Sequence, residues 1–218
     1  AERAAWLARV AEQAALEVGA PSPPRYVIGT EVPQPGGADS TSPGLRITPA
    51  AEVRATIEQT RQAFTAQGIP SAWERVLAVV VQPGVEFGDT DVHVYDPHQA
   101  RELTRFILEY PSLVYEAHST DFQTRASLRN MVRDHFAILK VGPALTFAFR
   151  EMAFALSAME AELLRGHRQA EPSRLVDVLE AAMLRRPEHW QGYYSGPPEE
   201  QAFARRYSSA SAPQLIVQ

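Results

Sequence analysis

The chain has 218 residues, of which 45% are hydrophobic, so one domain with a single sizeable core is expected. Its net charge of -5 argues against a nucleic-acid partner or an anionic membrane surface, and no apolar run approaches the ~20 residues of a membrane span. The sequence contains no cysteine, which excludes disulfides, thiolate zinc sites and a cysteine nucleophile, and which fits a reducing compartment such as the cytoplasm.

Four predicted strands alternate with helices along the chain. The strands are short apolar, β-branched runs, whereas the helices show apolar residues at helical spacing between polar or proline starts and glycine or polar ends. The predicted strands cover residues 25–31, 76–81, 113–115 and 136–141. The predicted helices cover residues 1–18, 48–67, 96–109, 120–134 and 143–164, with one or two more in the tail.

Capping signals fix the predicted helix starts. Thr48 precedes a proline and Asp96 precedes another, and proline is favoured at the first helical position. Thr120 and Gln123 match the S/T-x-x-E/Q pattern of a capping box. The Pro/Gly/Ser-rich segment 32–47 is a long loop, a class that is usually a functional lid or a disordered segment.

Alternating strands and helices indicate an α/β fold with parallel strands. Four strand–helix units are half of a (β/α)₈ TIM-type barrel, which typically needs about 250 residues. A four-stranded open sheet is the alternative, although none of the strands carries a dinucleotide-binding glycine fingerprint. Half a barrel is the preferred interpretation, with residues 1–218 as a single domain.

Polar side chains follow each predicted strand. Glu31, Gln82, Glu116 and Lys140 end the four strands in turn. Because parallel strands end at one edge of a sheet, these side chains are expected to form a common rim, where such folds place their ligands. His118 lies two residues beyond Glu116, so both side chains point to the same face if the strand continues that far.

Five stretches, in this order, resemble the non-catalytic subunit family of class II D-tagatose-1,6-bisphosphate aldolase. They are YVIGTEVP (26–33), VVVQPGVEF (79–87), EAHSTD (116–121), DHFAILKVGPALTFA (134–148) and RRYS (205–208). Members of the family are longer at the N-terminus, so the resemblance implies that this chain supplies the last four βα units and the C-terminal helices of the barrel, with the N-terminal half absent. After Ser208 the chain reads SASAP and departs from the family pattern.

The resemblance implies an accessory role beside a separate catalytic aldolase subunit, in galactitol or amino-sugar catabolism. Some relatives are thought to act alone, so the alternative is a metal-dependent ketohexose-phosphate 4-epimerase or aldolase acting on D-tagatose 6-phosphate or D-tagatose 1,6-bisphosphate. Members are also labelled tagatose-6-phosphate kinases, but the sequence has no G-x-x-x-x-G-K-[ST] loop for a nucleotide.

For such chemistry the rim offers acid–base and metal-binding groups. Glu31 and Glu116 could act as paired acid and base or as ligands. Glu116 and His118 together suit a divalent Mg²⁺, Mn²⁺ or Zn²⁺ ion. The alternative is that these residues make hydrogen bonds at the rim of a protein without catalysis of its own.

Lys140, the sole lysine of the sequence, has three interpretations. It could pair with a carboxylate, bind a phosphate at the start of the next helix, or form a Schiff base, although the resemblance argues against a Schiff base. Gly142 and Thr146 at that helix start are candidate phosphate-binding residues. Gln82 is expected to orient a neighbouring side chain or a substrate hydroxyl.

Overall fold

The computed structural model of the chain describes residues 1–29, 45–88, 91–166 and 170–208. The strands of these residues are β1 (Tyr26–Ile28), β2 (Val76–Val80), β3 (Glu86–Phe87), β4 (Val92–His93), β5 (Val114–Ala117) and β6 (Phe136–Leu139). The α-helices are α1 (Glu2–Glu17), α2 (Ala50–Ala66), α3 (Arg101–Phe106), α4 (Arg125–Arg133), α5 (Pro143–Leu163), α6 (Leu175–Arg185) and α7 (Pro198–Tyr207). Short 3-10 helices cover Pro70–Arg75, Ile107–Glu109 and Pro187–His189.

The described residues divide into two compact units. The first contains residues 1–29, 45–86 and 93–140, which include α1 to α4 and strands β1, β2, β5 and β6. The second contains residues 87–88, 91–92, 141–166 and 170–208, which include α5, α6 and α7. Strands β3 and β4 pair with each other in a separate two-stranded sheet. No helix of these described segments is long and apolar enough to cross a membrane.

The first unit is built on a parallel sheet with strand order β1-β2-β5-β6. This confirms the predicted α/β class and the four predicted parallel strands. Neighbours in the sheet are also successive strands of the chain, apart from the small β3–β4 hairpin. A doubly wound sheet would instead reverse its strand order near the middle. The sequential order is therefore that of consecutive βα units wound in one direction.

One row of side chains across the sheet faces the helices. Ile28 pairs with Val79, Val79 with Tyr115, and Tyr115 with Phe136. All four are buried, and they belong to one apolar cluster that includes residues of α1, α2, α3 and α4. Because side chains alternate along a strand, Glu116 points to the opposite face from its neighbour Tyr115.

Two of the predicted caps make other contacts. Helix α2 begins one residue after Pro49, and the Thr48 hydroxyl accepts the backbone N–H of Gln82 at 2.8 Å instead of capping the helix. The carboxylate of Asp96 accepts the backbone N–H of His98 at 2.9 Å in a turn, and α3 begins only after that turn. Both polar residues thus close loops.

The predicted capping box at Thr120 and Gln123 is wrong. Helix α4 is capped by Thr124, whose hydroxyl accepts the backbone N–H of Ser127 at 3.1 Å. Thr124 is the N-cap residue because the side chains of Thr120 and Gln123 form hydrogen bonds with other segments of the same unit instead. The predicted helix start was therefore four residues too early.

The second unit has its own small core. Met183, Trp190 and Tyr194 form a buried cluster, and the Trp190 indole N–H donates to the carbonyl oxygen of Met183 at 2.8 Å. Arg205 lies over the Trp190 ring, 4.5 Å from its centroid, and pairs with Glu180 at 2.5 Å. These contacts join α6 to α7 around one aromatic ring.

Candidate functional site at the carboxyl end of the sheet

Glu116 is a buried carboxylate in the middle of the parallel sheet. Its backbone pairs with Val80 of β2 and with Ile138 of β6. The residue is 7% exposed, and the two apolar neighbours in the same row are half-buried. A carboxylate in such surroundings requires polar partners, because burial without them is costly.

His118 supplies one of those partners. Its Nε2 lies 2.8 Å from Glu116 Oε1, and both side chains are largely buried. The predicted arrangement on one face of an extended segment is therefore present. Beyond it the chain leaves the sheet direction at Ser119, whose φ of 52° lies in the left-handed region. This backbone turn ends the strand immediately after the imidazole.

Lys140 supplies the other partner. It follows β6, and its Nζ lies 3.7 Å from the same oxygen, Glu116 Oε1. Its side chain is 56% exposed, so this ion pair is weakened by solvent. The backbone N–H of Lys140 donates to the carbonyl oxygen of Ala117 at 2.9 Å. This bond fixes the backbone of Lys140 beside the end of β5.

Thr120 holds the position of Lys140, a role that the sequence did not reveal. Its hydroxyl and its backbone N–H both donate to the carbonyl oxygen of Lys140, at 2.8 and 3.2 Å. Thr120 is 1% exposed. The loop after β5 is thereby tied to the end of β6, so Glu116 and Lys140 are kept on adjacent strand ends.

Gln123 connects the same loop to the end of β4 and to the residues that follow it. Its side-chain oxygen accepts the backbone N–H of Tyr95 at 3.0 Å, and its side-chain nitrogen donates to the carbonyl oxygen of His93 at 2.8 Å. Tyr95 in turn donates its hydroxyl to Asp134 at 2.7 Å. Burial and this acceptor raise the pKa of Tyr95, so the phenol stays protonated as a donor. No local sequence signal distinguishes these roles from a helix cap.

Gln82 lies at the end of β2 and closes its own loop. The side-chain oxygen accepts the backbone N–H groups of Gly84 and Val85, at 2.9 and 3.0 Å. Its backbone N–H donates to Thr48, as described above. The amide therefore shapes the rim through backbone contacts, and its predicted contact with a substrate stays a prediction.

The predicted phosphate-binding residues lie in the second unit. Gly142 is the N-cap residue of α5, and Thr146 lies in the first turn of that helix. Backbone N–H groups at a helix N-terminus favour anions. Their assignment to a phosphate remains a prediction.

Glu31 lies outside the described residues, so its predicted pairing with Glu116 stays a prediction. Within the described ranges there is no group of three or more His, Cys, Asp or Glu residues arranged to hold a metal ion. Glu116 and His118 provide two donors, fewer than a zinc site takes from protein, and the ammonium of Lys140 near the carboxylate disfavours a cation. The described donor set does not fit a divalent metal, and we derive no chemical step through one.

The three side chains can carry out acid–base and anion-binding chemistry without a metal. A carboxylate that is hydrogen-bonded to an imidazole fixes the ring orientation and tautomer, which is the arrangement that a general acid or base requires. The half-exposed Lys140 ammonium adds a positive charge beside them. Such a site suits a polyhydroxylated anion.

The fold and the site thus define an α/β protein with a polar site at the carboxyl end of a parallel sheet. A family model described as "D-tagatose-1,6-bisphosphate aldolase subunit GatZ/KbaZ-like" matches residues 1–211. Since this match covers nearly the whole chain, the protein belongs to the GatZ/KbaZ-like family of D-tagatose-1,6-bisphosphate aldolase subunits. The resemblance seen in the five sequence stretches is confirmed.

A solved structure is also similar to this chain. It is the crystal structure of a probable tagatose 6 phosphate kinase from Sinorhizobium meliloti 1021, with 40% sequence identity and a TM-score of 0.84. The match covers 99% of this chain and 50% of that chain. The chain therefore spans about half the length of this relative.

Proposed function

We propose that this chain is part of an accessory subunit that supports a separate, catalytic class II D-tagatose-1,6-bisphosphate aldolase. The observation that carries the proposal is the family match over residues 1–211, because the family is described as aldolase subunits. The proposed setting is the catabolism of galactitol or amino sugars in the cytoplasm. The partner is the catalytic subunit, and the accessory role is to raise its activity and its stability.

The proposed architecture of the whole subunit is a (β/α)₈ barrel, to which this chain contributes four βα units as one domain. The sequential strand order of its sheet supports this proposal, because barrels wind their strands in chain order. The polar rim would then lie at the carboxyl end of the barrel, the end at which such barrels place their ligand sites.

The proposed ligand of the rim is a ketose phosphate. Glu116 and His118 suit hydrogen bonds to sugar hydroxyls, and the ammonium of Lys140 suits a phosphate. Gly142 and Thr146 are proposed as further phosphate contacts, because anions bind well at helix N-termini. Glu31 and Gln82 are proposed to orient the sugar from neighbouring strand ends. The charge of the ligand complements the cation that is already beside the site.

The second candidate is an activity of the chain's own, as a ketohexose-phosphate 4-epimerase or aldolase. The buried Glu116 with its 2.8 Å contact to His118 favours it, since this pair can move a proton at a sugar carbon or hydroxyl. Glu31 or Lys140 would assist in this role. A kinase activity is not proposed, because the sequence lacks a phosphate-binding glycine loop with its lysine.

Reconstitution with a catalytic subunit tests the accessory role. The chain, the catalytic aldolase subunit and a mixture of the two are each incubated with D-tagatose 1,6-bisphosphate or with D-tagatose 6-phosphate, with and without added Mg²⁺, Mn²⁺ or Zn²⁺. Release of triose phosphate and formation of fructose 6-phosphate are followed. The proposal expects no turnover by the chain alone and a faster, longer-lived reaction in the mixture. No effect of the chain on the catalytic subunit would contradict it. Conversion of D-tagatose 6-phosphate to fructose 6-phosphate by the chain alone would establish the second candidate.

Substitutions at the rim separate the two candidates. Glu116→Gln and His118→Ala should abolish any turnover by the chain itself, whereas an accessory subunit without catalysis should retain its stimulation. Glu74→Gln is a matched control, since Glu74 is exposed on a 3-10 helix and carries the same charge change. Unfolding by urea verifies that each variant is folded before activity is compared.

A further inference from the structure

Lys140 is the last residue of the first unit, and its own side-chain contact holds it only weakly. The Nζ atom lies 3.7 Å from Glu116 Oε1, and the side chain is 56% exposed. Ion pairs that solvent reaches contribute little, because water and salt screen them and because ordering two side chains costs entropy. The position of the ammonium therefore depends on how firmly the backbone of Lys140 is held.

Hydrogen bonds hold the Lys140 backbone on both sides. Its N–H donates to the carbonyl oxygen of Ala117 at 2.9 Å, which extends the pairing of β5 with β6 by one residue. Its carbonyl oxygen accepts two bonds from Thr120, one from the hydroxyl at 2.8 Å and one from the backbone N–H at 3.2 Å. Thr120 thus continues to hold the chain at the point where strand pairing ends.

The two bonds from Thr120 fix a rotation that matters for the lysine side chain. The carbonyl oxygen of Lys140 moves when the backbone rotates about ψ of that residue, and the rotamers open to a side chain depend on φ and ψ. Holding the carbonyl therefore limits the directions in which the side chain of Lys140 extends. Val141, the next residue, is 54% exposed and belongs to the second unit, so no later residue of the first unit can take over this role.

Thr120 lies in a loop whose own conformation is tightly determined. It is 1% exposed, and it lies between Ser119 with a φ of 52° and Phe122 with a φ of 59°. Both values fall in the left-handed region, which residues other than glycine rarely adopt and which persists only where surrounding contacts impose it. Gln123 supplies contacts of this kind through its two bonds to the end of β4 and the residues after it. The loop is thus a firm support for the groups it holds.

The same loop also orients the imidazole of the site. The left-handed turn at Ser119 directly follows His118, whose Nε2 lies 2.8 Å from Glu116 Oε1. This oxygen is also the one near the ammonium of Lys140. One carboxylate oxygen is therefore shared by an imidazole and an ammonium, and Thr120 joins the two segments that carry them. Displacement of either segment would separate the three groups.

We propose that Thr120 is a positioning residue for anion binding. Through the carbonyl of Lys140 it holds the ammonium beside Glu116, where the ammonium binds the phosphate group of a ketose phosphate. An ammonium carries three N–H donors, so a contact with Glu116 leaves donors for phosphate oxygens. The inference rests on the proposed function in one respect, namely that a ketose phosphate is the ligand of the rim. It adds the residue that sets the affinity for the phosphate group.

Thr120→Val tests the hydroxyl, because valine has nearly the same shape but cannot donate. Titration calorimetry on the full chain should show the dissociation constant of D-tagatose 6-phosphate rising about fivefold in Thr120→Val and about tenfold or more in Lys140→Met. Thr120→Ser keeps the hydroxyl and should restore the wild-type value. Thr65→Val is the matched control and should leave the constant unchanged. The exposed Thr65 on α2 also donates its hydroxyl to a carbonyl oxygen, that of Arg61 at 3.1 Å.

A double-mutant cycle shows whether Thr120 acts through Lys140. In the Lys140→Met background, Thr120→Val should change the dissociation constant by less than about twofold, because the ammonium that Thr120 positions is gone. An equal effect of Thr120→Val in both backgrounds would overturn the proposal, since Thr120 would then support the site without acting through the lysine. Urea unfolding verifies that each variant is folded.

The sole lysine of the sequence provides a signature that does not depend on the ligand. Reductive methylation with isotopically labelled formaldehyde labels Lys140 and the terminal amine, and the NMR signal that Lys140→Met lacks belongs to Lys140. Glu116→Gln should shift this signal, because the carboxylate lies near Nζ. Thr120→Val should shift it in the same direction, whereas Thr65→Val should not. An unchanged signal in Thr120→Val would overturn the proposal.

Failure of this inference is distinguishable from failure of the proposed ligand. If the wild-type chain does not bind D-tagatose 6-phosphate, the proposed ligand of the rim is wrong, and the inference falls with it. If Lys140→Met weakens binding while Thr120→Val binds like the wild type, the ligand stands and only the role of Thr120 is wrong.

Discussion

Gln123 joins two loops at the rim, and its replacement should destabilise the first unit measurably. The side chain accepts the backbone N–H of Tyr95 at 3.0 Å and donates to the carbonyl oxygen of His93 at 2.8 Å. Both Gln123 and Tyr95 are buried, whereas His93 is exposed. Gln123→Ala removes both bonds at once and leaves the buried N–H without its acceptor.

The two lost bonds carry different costs. An unsatisfied buried N–H costs about 1–3 kcal/mol, whereas a carbonyl that water can reach loses only the net value of a hydrogen bond, about 0.5–1.5 kcal/mol. The sum for Gln123→Ala is about 1.5–4.5 kcal/mol, before any loss of side-chain packing. Against a total stability of about 5–15 kcal/mol, this is a large fraction, so the midpoint of urea unfolding should fall clearly.

Gln123→Glu separates the two bonds by pH. The introduced carboxylate still accepts from Tyr95, but it cannot donate to His93 until it is protonated. Burial raises the pKa of the introduced carboxyl in the folded state above its unfolded value of about 4.3. Its stabilising contribution is therefore complete below that unfolded value and is lost as pH rises through the folded pKa. The variant should be less stable than the wild type at pH 7, and the deficit should shrink as pH falls towards 4.

Urea unfolding of the wild type and both variants, followed by circular dichroism at several pH values, is the assay. Gln59→Ala is the matched control, because Gln59 is exposed on α2 and its loss should change the free energy of unfolding by no more than about 0.5 kcal/mol. If Gln123→Ala is as stable as this control, the two hydrogen bonds do not support the rim. If the deficit of Gln123→Glu is constant with pH, the donor to His93 is not the group that matters.

Three further predictions concern strand contact, ion pairing and pH. Gly29→Ala should cost about 1–3 kcal/mol, because its Cβ would lie 2.6 Å from Cβ of Val80 on the neighbouring strand; urea unfolding measures this. Arg205→Met should cost about 3 kcal/mol, since the largely buried Glu180 would keep only Arg206 as a cation, at 4.0 Å; the thermal midpoint reports it. Burial and the neighbouring Glu12 raise the pKa of Tyr26 to about 12, so unfolding free energy should fall from pH 10 towards pH 12, and less steeply in Tyr26→Phe.

Each of these three predictions has its own control. Gly192→Ala is the control for the strand contact. A Cβ at Gly192 would meet no atom within 4 Å, so this substitution should be tolerated. Arg205→Met combined with Glu180→Leu removes both charges and should recover stability lost by the single change. For the tyrosine, identical slopes of the wild type and Tyr26→Phe between pH 10 and 12 would exclude the phenol as the titrating group.

The sequence by itself determined the elements whose signal is local. The continuous apolar run at β2 and the glycine-bounded helices were recognisable because strand and helix periodicities depend on neighbours a few residues apart. The same local geometry placed Glu116 and His118 on one face, since side chains two apart on an extended chain point the same way. The five family-like stretches depended on residue identity alone, and the family match confirmed them.

Tertiary structure decided which polar groups meet. Thr48, Thr120 and Gln123 carry sequence patterns of helix caps, yet their hydrogen bonds go to residues 20–34 positions away in the chain. A capping pattern shows only that a side chain able to form a hydrogen bond is present. The tertiary packing of the loops decides which backbone group becomes its partner. Lys140 comes near Glu116 for the same reason, because β5 and β6 are adjacent in the sheet and their ends are fixed by backbone bonds.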